Sequence, residues 1–129
     1  MIGIVIVAHG GLAREYLAAM EHVVGRQSGV RAVSIEADHD RDQKKAEILH
    51  AADSVDAGQG VVIVTDMFGG TPSNLSLPAC RNPDRKVLYG ANLPLLVKLA
   101  KNRYAPVEEA VRVAREAGRK YIDFCNGQA

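Results

Sequence analysis

The chain has 129 residues, 47% of them hydrophobic and 24% charged, which suits one soluble domain with a core that needs no metal or disulfide support. Sixteen Lys and Arg against fifteen Asp and Glu leave a net charge of +1, so neither nucleic acid nor an anionic membrane surface is expected as a partner. The absence of Trp, with only two Phe, leaves little material for stacking bases.

In chain order, Ile2–Ala8 is a nearly continuous β-branched run, the pattern of a parallel strand buried on both faces. It is too short to span a membrane and lacks the basic flank of a signal peptide. After Gly10-Gly11, the residues Leu12, Tyr16, Leu17, Met20, Val23 and Val24 recur at helical spacing until Gly25. Val30–Ala37 reads as a second strand, and residues 40–56, carrying Ala46, Ile48, Leu49, Ala52 and Val55, as a second helix. Gly60–Asp66 is another buried-strand run, followed by Met67-Phe68-Gly69-Gly70 and a helix start with Thr71 as N-cap and Pro72 at the first helical position. Pro78 predicts that this helix is short or kinked. Lys86–Tyr89 is a fourth strand and Leu93–Lys101 a fourth helix. Pro106 opens a fifth helix that Gly118 closes, and Tyr121–Phe124 forms a last short strand.

Strands alternating with helices across short loops predict a single α/β domain over residues 1–129, a doubly wound three-layer sandwich around a mostly parallel sheet. In such sheets ligands bind beyond the carboxyl ends of the strands, where strand order reverses. The first strand ends in His9 and the third in Asp66, so two apolar strands each deliver one ionisable side chain to one edge. A neutral imidazole carries a lone pair on one ring nitrogen, and a carboxylate accepting the other N–H fixes the tautomer and offsets charge appearing during attack. His9 is therefore the candidate nucleophile and Asp66 its orienting partner. Gly10, Gly11, Gly69 and Gly70 let backbone N–H groups approach a phosphoryl group, and the Thr71 and Ser73 hydroxyls are further candidate donors.

The remaining histidines, His22, His39 and His50, read as surface residues. The cluster Asp38-His39-Asp40-Arg41-Asp42 fits a solvated loop and helix N-terminus better than a metal site. Without a Walker A sequence, or a GxGxxG after a strand, no nucleotide or other cofactor is expected, and no metal. Cys80 and Cys125 stand alone without metal-ligand spacing and read as reduced thiols, which predicts a cytoplasmic location.

Ile4–Gly10 (IVIVAHG), Val64–Asn74 (VTDMFGGTPSN) and Gly90–Leu96 (GANLPLL) together resemble the IIA domain of the mannose class of the bacterial sugar phosphotransferase system, in order and spacing along essentially the whole chain. The resemblance implies a phosphotransferase component with a phosphohistidine intermediate at His9, oriented by Asp66, and Thr71 holding the phosphoryl group. It implies modification at Nε2, phosphorylation by the histidine-containing phosphocarrier protein HPr, and a IIB component as acceptor during sugar uptake. It further implies a homodimer that exchanges the C-terminal strand, without direct membrane insertion. The chain lacks a linker to a fused IIB domain, has Gly11 where transporter members often carry an aromatic residue, and places Pro78 in the helix after the loop. These departures suggest a stand-alone regulatory member whose phosphorylation state controls partner binding; the phosphotransfer subunit of dihydroxyacetone kinase resembles the same fold and is a second alternative.

Overall fold

The structure is a computed structural model and describes residues 1–67 and 69–127; Phe68 of the second motif lies outside the described residues. Gly3–His9 form β1, Val30–Ile35 β2, Val61–Thr65 β3 and Arg85–Leu88 β4, all parallel in the order β2-β1-β3-β4. Between them run α1 (Leu12–Val24), α2 (Arg41–Val55) and α3 (Thr71–Ser76), and after β4 come α4 (Leu93–Ala100) and α5 (Val107–Lys120).

Alternation along β1 explains the layers, because successive side chains on a strand point to opposite faces. Ile4, Ile6 and Ala8 pack with Met20 of α1, Leu96 and Leu99 of α4, and Ala110 and Ala114 of α5. Val5 and Val7 pack on the other face with Ile48 and Ala52 of α2 and Leu75 of α3. Both faces of β1 are covered, which is why its sequence is apolar without interruption. Each large aliphatic side chain buried there contributes on the order of 2 kcal/mol.

Several expectations are corrected. Tyr121–Phe124 is not a strand: Tyr121 is a turn, residues 122–127 adopt no regular structure, and Tyr121, Ile122 and Phe124 are exposed. A strand requires a ladder partner, and among the described residues no sheet edge pairs with the tail. Gly118 does not stop α5, which runs on to Lys120. A Cβ at Gly118 would lie 3.1 Å from Leu95, so the missing side chain lets α5 lie close on α4. Gly70, rather than Thr71, is the N-cap of α3, and Thr71 is its first helical residue. Leu12, Val23 and Leu49, assigned to buried helix faces, are exposed because these helices turn other residues inward, among them Ala13 and Ala51.

Pro78 does cut its helix short. The chain tightens into a 3₁₀ turn over Leu77–Cys80, where proline lacks the N–H that another α turn needs. Asp40 caps α2, its Oδ1 accepting from Asp42 N–H at 2.9 Å and Gln43 N–H at 3.1 Å. No helix among the described residues is long and apolar enough to cross a membrane.

Candidate active site

The site is built where β1 and β3, neighbours in the sheet, reach their carboxyl ends. Val7 pairs with Thr65 in the ladder, so Asp66 emerges beside the end of β1. One carboxylate oxygen of Asp66 serves His9 twice. Oδ2 accepts the His9 backbone N–H at 3.0 Å and meets Nδ1 of the ring at 2.8 Å. Burial of the Asp66 carboxyl, whose side chain is 8% exposed, opposes its ionisation. The backbone and ring N–H hydrogen bonds from His9, joined by the ring's positive charge whenever it is protonated, outweigh that burial and hold the pKa below the ordinary carboxylate range. An ionised carboxylate only accepts, so in the neutral ring Nδ1 bears the proton and Nε2 keeps its lone pair. The His9 side chain is 47% exposed, which leaves that nitrogen open to an incoming group.

The neighbouring loops crowd the ring without covering it. A Cβ on Gly70 would stand 3.5 Å from His9 Cε1, so the backbone passes close to the imidazole there. Gly10 has φ +55° and Gly69 φ +79°, left-handed values that favour glycine, while Gly11 is the N-cap of α1. Behind Asp66, Tyr16 donates its hydroxyl to Ala91 O at 3.1 Å, and Ala91 N–H donates to Thr65 O at 3.0 Å. Burial, and then the charge of Asp66, push the Tyr16 pKa up. The third motif thus reaches the site through its backbone: it ties the loop before α4 to the end of β3, and Asn92 caps α4 by accepting Leu95 N–H at 3.0 Å. Asp66 Oδ1 and Thr65 Oγ1 are buried and find no hydrogen-bond partner among the described residues.

A cavity of about 350 Å³ opens beside the ring, lined by His9, Thr71 and Leu75 and, from the β2–α2 connection and α2, by Glu36, His39, Arg41 and Lys44. Of the expected residues, His9 and Thr71 line this cavity, Asp66 and Gly70 stand against the His9 ring, and Gly10, Gly11 and Gly69 do not line it. Ser73 is 3% exposed within α3 and does not line the cavity. His22 and His50 are exposed, as expected of surface residues. His39 departs from that expectation: it is partly buried and shares the cavity with His9. Its position depends on a turn at the end of β2 that no periodicity announces. Glu36, Asp38 and His39 bring one candidate ligand atom each within 4.8 Å of one another, an acidic surface grouping of a kind common without an ion.

Comparison with known proteins places the chain's sequence and fold. Residues 3–114 match the family described as the PTS system fructose IIA component. The phosphotransferase enzyme IIA component YadI of Escherichia coli is 30% identical over 100 residues, 77% of this chain and 68% of that protein. The phosphotransferase system component EIIA from Streptococcus agalactiae superposes with a TM-score of 0.84 at 26% identity, covering 96% of this chain and 97% of that one. The mannose/sorbose-specific IIA subunit from Enterococcus faecalis shares the fold, with a TM-score of 0.86 at 23% identity over 99% of this chain and 97% of the other.

Proposed function

The chain belongs to the mannose/fructose family of phosphotransferase-system IIA components, and from that premise we propose that it is a phosphocarrier whose His9 takes a phosphoryl group from phospho-HPr and passes it to a IIB component. The observation that carries the reading is the 2.8 Å contact of His9 Nδ1 with Asp66 Oδ2, which leaves Nε2 as the free nucleophile. In the transfer, the Nε2 lone pair forms a bond to phosphorus as the P–N bond to the donor histidine breaks, and the electrons of that bond return to the donor ring. The Nδ1 proton stays in place, and the positive charge that appears on the His9 ring lies against the Asp66 carboxylate. Transfer onward to a IIB acceptor reverses these roles. The chemistry asks for positioning and charge stabilisation more than for covalent machinery.

In this reading the backbone around Gly10, Gly11, Gly69 and Gly70 and the Thr71 hydroxyl hold the phosphoryl oxygens, with the N-terminus of α1 adding partial positive charge. Ser73, being buried, serves only if the first turn of α3 moves. A homodimer follows from the same reading. Among the described residues no strand lies beyond the outer edge of β4, a groove of about 870 Å³ runs along it with Ile122 in its lining, and the exposed Tyr121, Ile122 and Phe124 suit a strand exchanged onto a partner's edge.

The test is incubation with phosphoenolpyruvate, enzyme I and HPr, followed by intact-mass measurement. The wild type should gain one acid-labile phosphoryl group and His9→Ala none. An unmodified wild type, or a His9→Ala variant that is still modified, defeats the reading.

A further inference from the structure

The connection between β2 and α2 brings a second imidazole to the cavity. The peptide unit joining Ile35 and Glu36 is held on both sides. Ile35 O accepts Gly10 N–H at 2.8 Å, and Glu36 N–H donates to His39 Nδ1 at 3.0 Å. Ile35 is also the ladder partner of His9. The His39 ring is thereby tethered one peptide unit away from the backbone of His9 and Gly10. A ring nitrogen that accepts an N–H carries no proton, so neutral His39 has its proton on Nε2 and offers a single donor.

The other groups in the lining set the charge. The Lys44 ammonium is paired with Glu47 at 3.1 Å, and Glu36 adds a carboxylate to the wall. Arg41 forms no ion pair among the described residues, which leaves it as the uncommitted cation. A volume of about 350 Å³ exceeds what one phosphoryl group fills, and in-line transfer requires room beyond the phosphorus for the group opposite His9.

We propose that His39 is a phosphoryl-binding residue: its Nε2–H donates to the oxygens of the phosphoryl group as that group moves between His9 Nε2 and the nitrogen opposite, with Arg41 supplying positive charge. This rests on the phosphocarrier reading and adds to it a second wall of the site, contributed by the β2–α2 connection.

The test follows His9 phosphorylation in wild type, His39→Phe and His39→Gln with two donors. One is phosphoramidate, which needs no protein partner and whose P–N bond breaks with release of ammonia; the other is phospho-HPr. Peptide mapping assigns the label to His9, since exposed His22 and His50 are also open to a small reagent, and thermal melts confirm that each variant is folded. With both donors the rate in His39→Phe should fall about tenfold, the effect of one hydrogen bond to developing charge. His39→Gln should recover most of the loss, because its carboxamide both accepts and donates. Equal rates in all three proteins, equal losses in both variants, or a loss confined to phospho-HPr each overturn the inference and leave the phosphocarrier reading standing. A wild type labelled by neither donor overturns both.

Discussion

Two charged side chains are buried at opposite ends of the sheet, and they are treated in opposite ways. Arg103, 3% exposed, lies near the amino end of β1 and is surrounded by acceptors. Its guanidinium donates to Ile2 O at 2.9 Å, to Gly29 O at 2.9 Å, to Gln27 Oε1 at 3.3 Å and to Ser28 O. Asp66, at the carboxyl end, has one oxygen bonded twice to His9 and the other buried without a partner among the described residues. A saturated buried charge ties chain segments together, whereas one left with spare capacity retains electrostatic work to do. The contrast belongs to these two side chains rather than to whole ends of the sheet, since Arg85 Nε at the start of β4 is also buried without a partner among the described residues.

The sharpest way to break the comparison is to remove each charge and ask which property fails. Arg103→Met keeps the aliphatic stem and strips the guanidinium from Ile2 O, Gly29 O and Ser28 O, leaving the buried Ile2 carbonyl without that donor. Stability should fall by about 3 kcal/mol, read as a lower denaturant midpoint with an unchanged slope. The folded fraction should still accept phosphate at His9. Asp66→Asn should do the reverse, with phosphorylation slowed about a hundredfold or more, because the amide neither balances ring charge nor enforces the Nδ1–H tautomer, while the midpoint moves little. Wild-type phosphorylation in Asp66→Asn would make Asp66 a structural residue like Arg103 and erase the distinction.

The two ends also differ in how far they were legible in the sequence. β1 and β3 are readable because burial on both faces demands unbroken apolar runs, and His9 and Asp66 because each terminates such a run in a fold whose parallel strands all end on one edge. Arg103 carries no such sign. Its partners are three main-chain carbonyls and the Gln27 side-chain amide oxygen, and nothing in the residues around it marks a buried guanidinium. His39 is similarly hidden, since a turn folding it back onto Glu36 N–H decides its place and the acidic residues beside it read as solvated loop. Gly118 looks like a helix stop and is instead a packing surface for Leu95. Tyr121–Phe124 has the composition of a strand, but composition alone does not pair it with an edge, and among the described residues it joins no ladder. Local pattern reaches the elements; it does not reach contacts made between them.

The smallest expected effect separates the two charges by pH. His9 holds the Asp66 carboxyl below its ordinary range, so the folded state prefers the anion more than the unfolded chain does. That contribution is fully present above the unfolded carboxylate value of about 3.9 and is lost as the pH falls through the depressed folded value. Wild-type stability should therefore drop more steeply on acidification through that range than the stability of Asp66→Asn, and the two curves should run parallel at higher pH. Arg103→Met should track the wild-type slope throughout, displaced by a constant amount, because a guanidinium stays protonated across the whole range. Urea unfolding at closely spaced pH values measures both slopes. If wild type and Asp66→Asn respond to acid alike, the His9 hydrogen bonds do not favour the anion, and the electrostatic role assigned to Asp66 in the transfer loses its support.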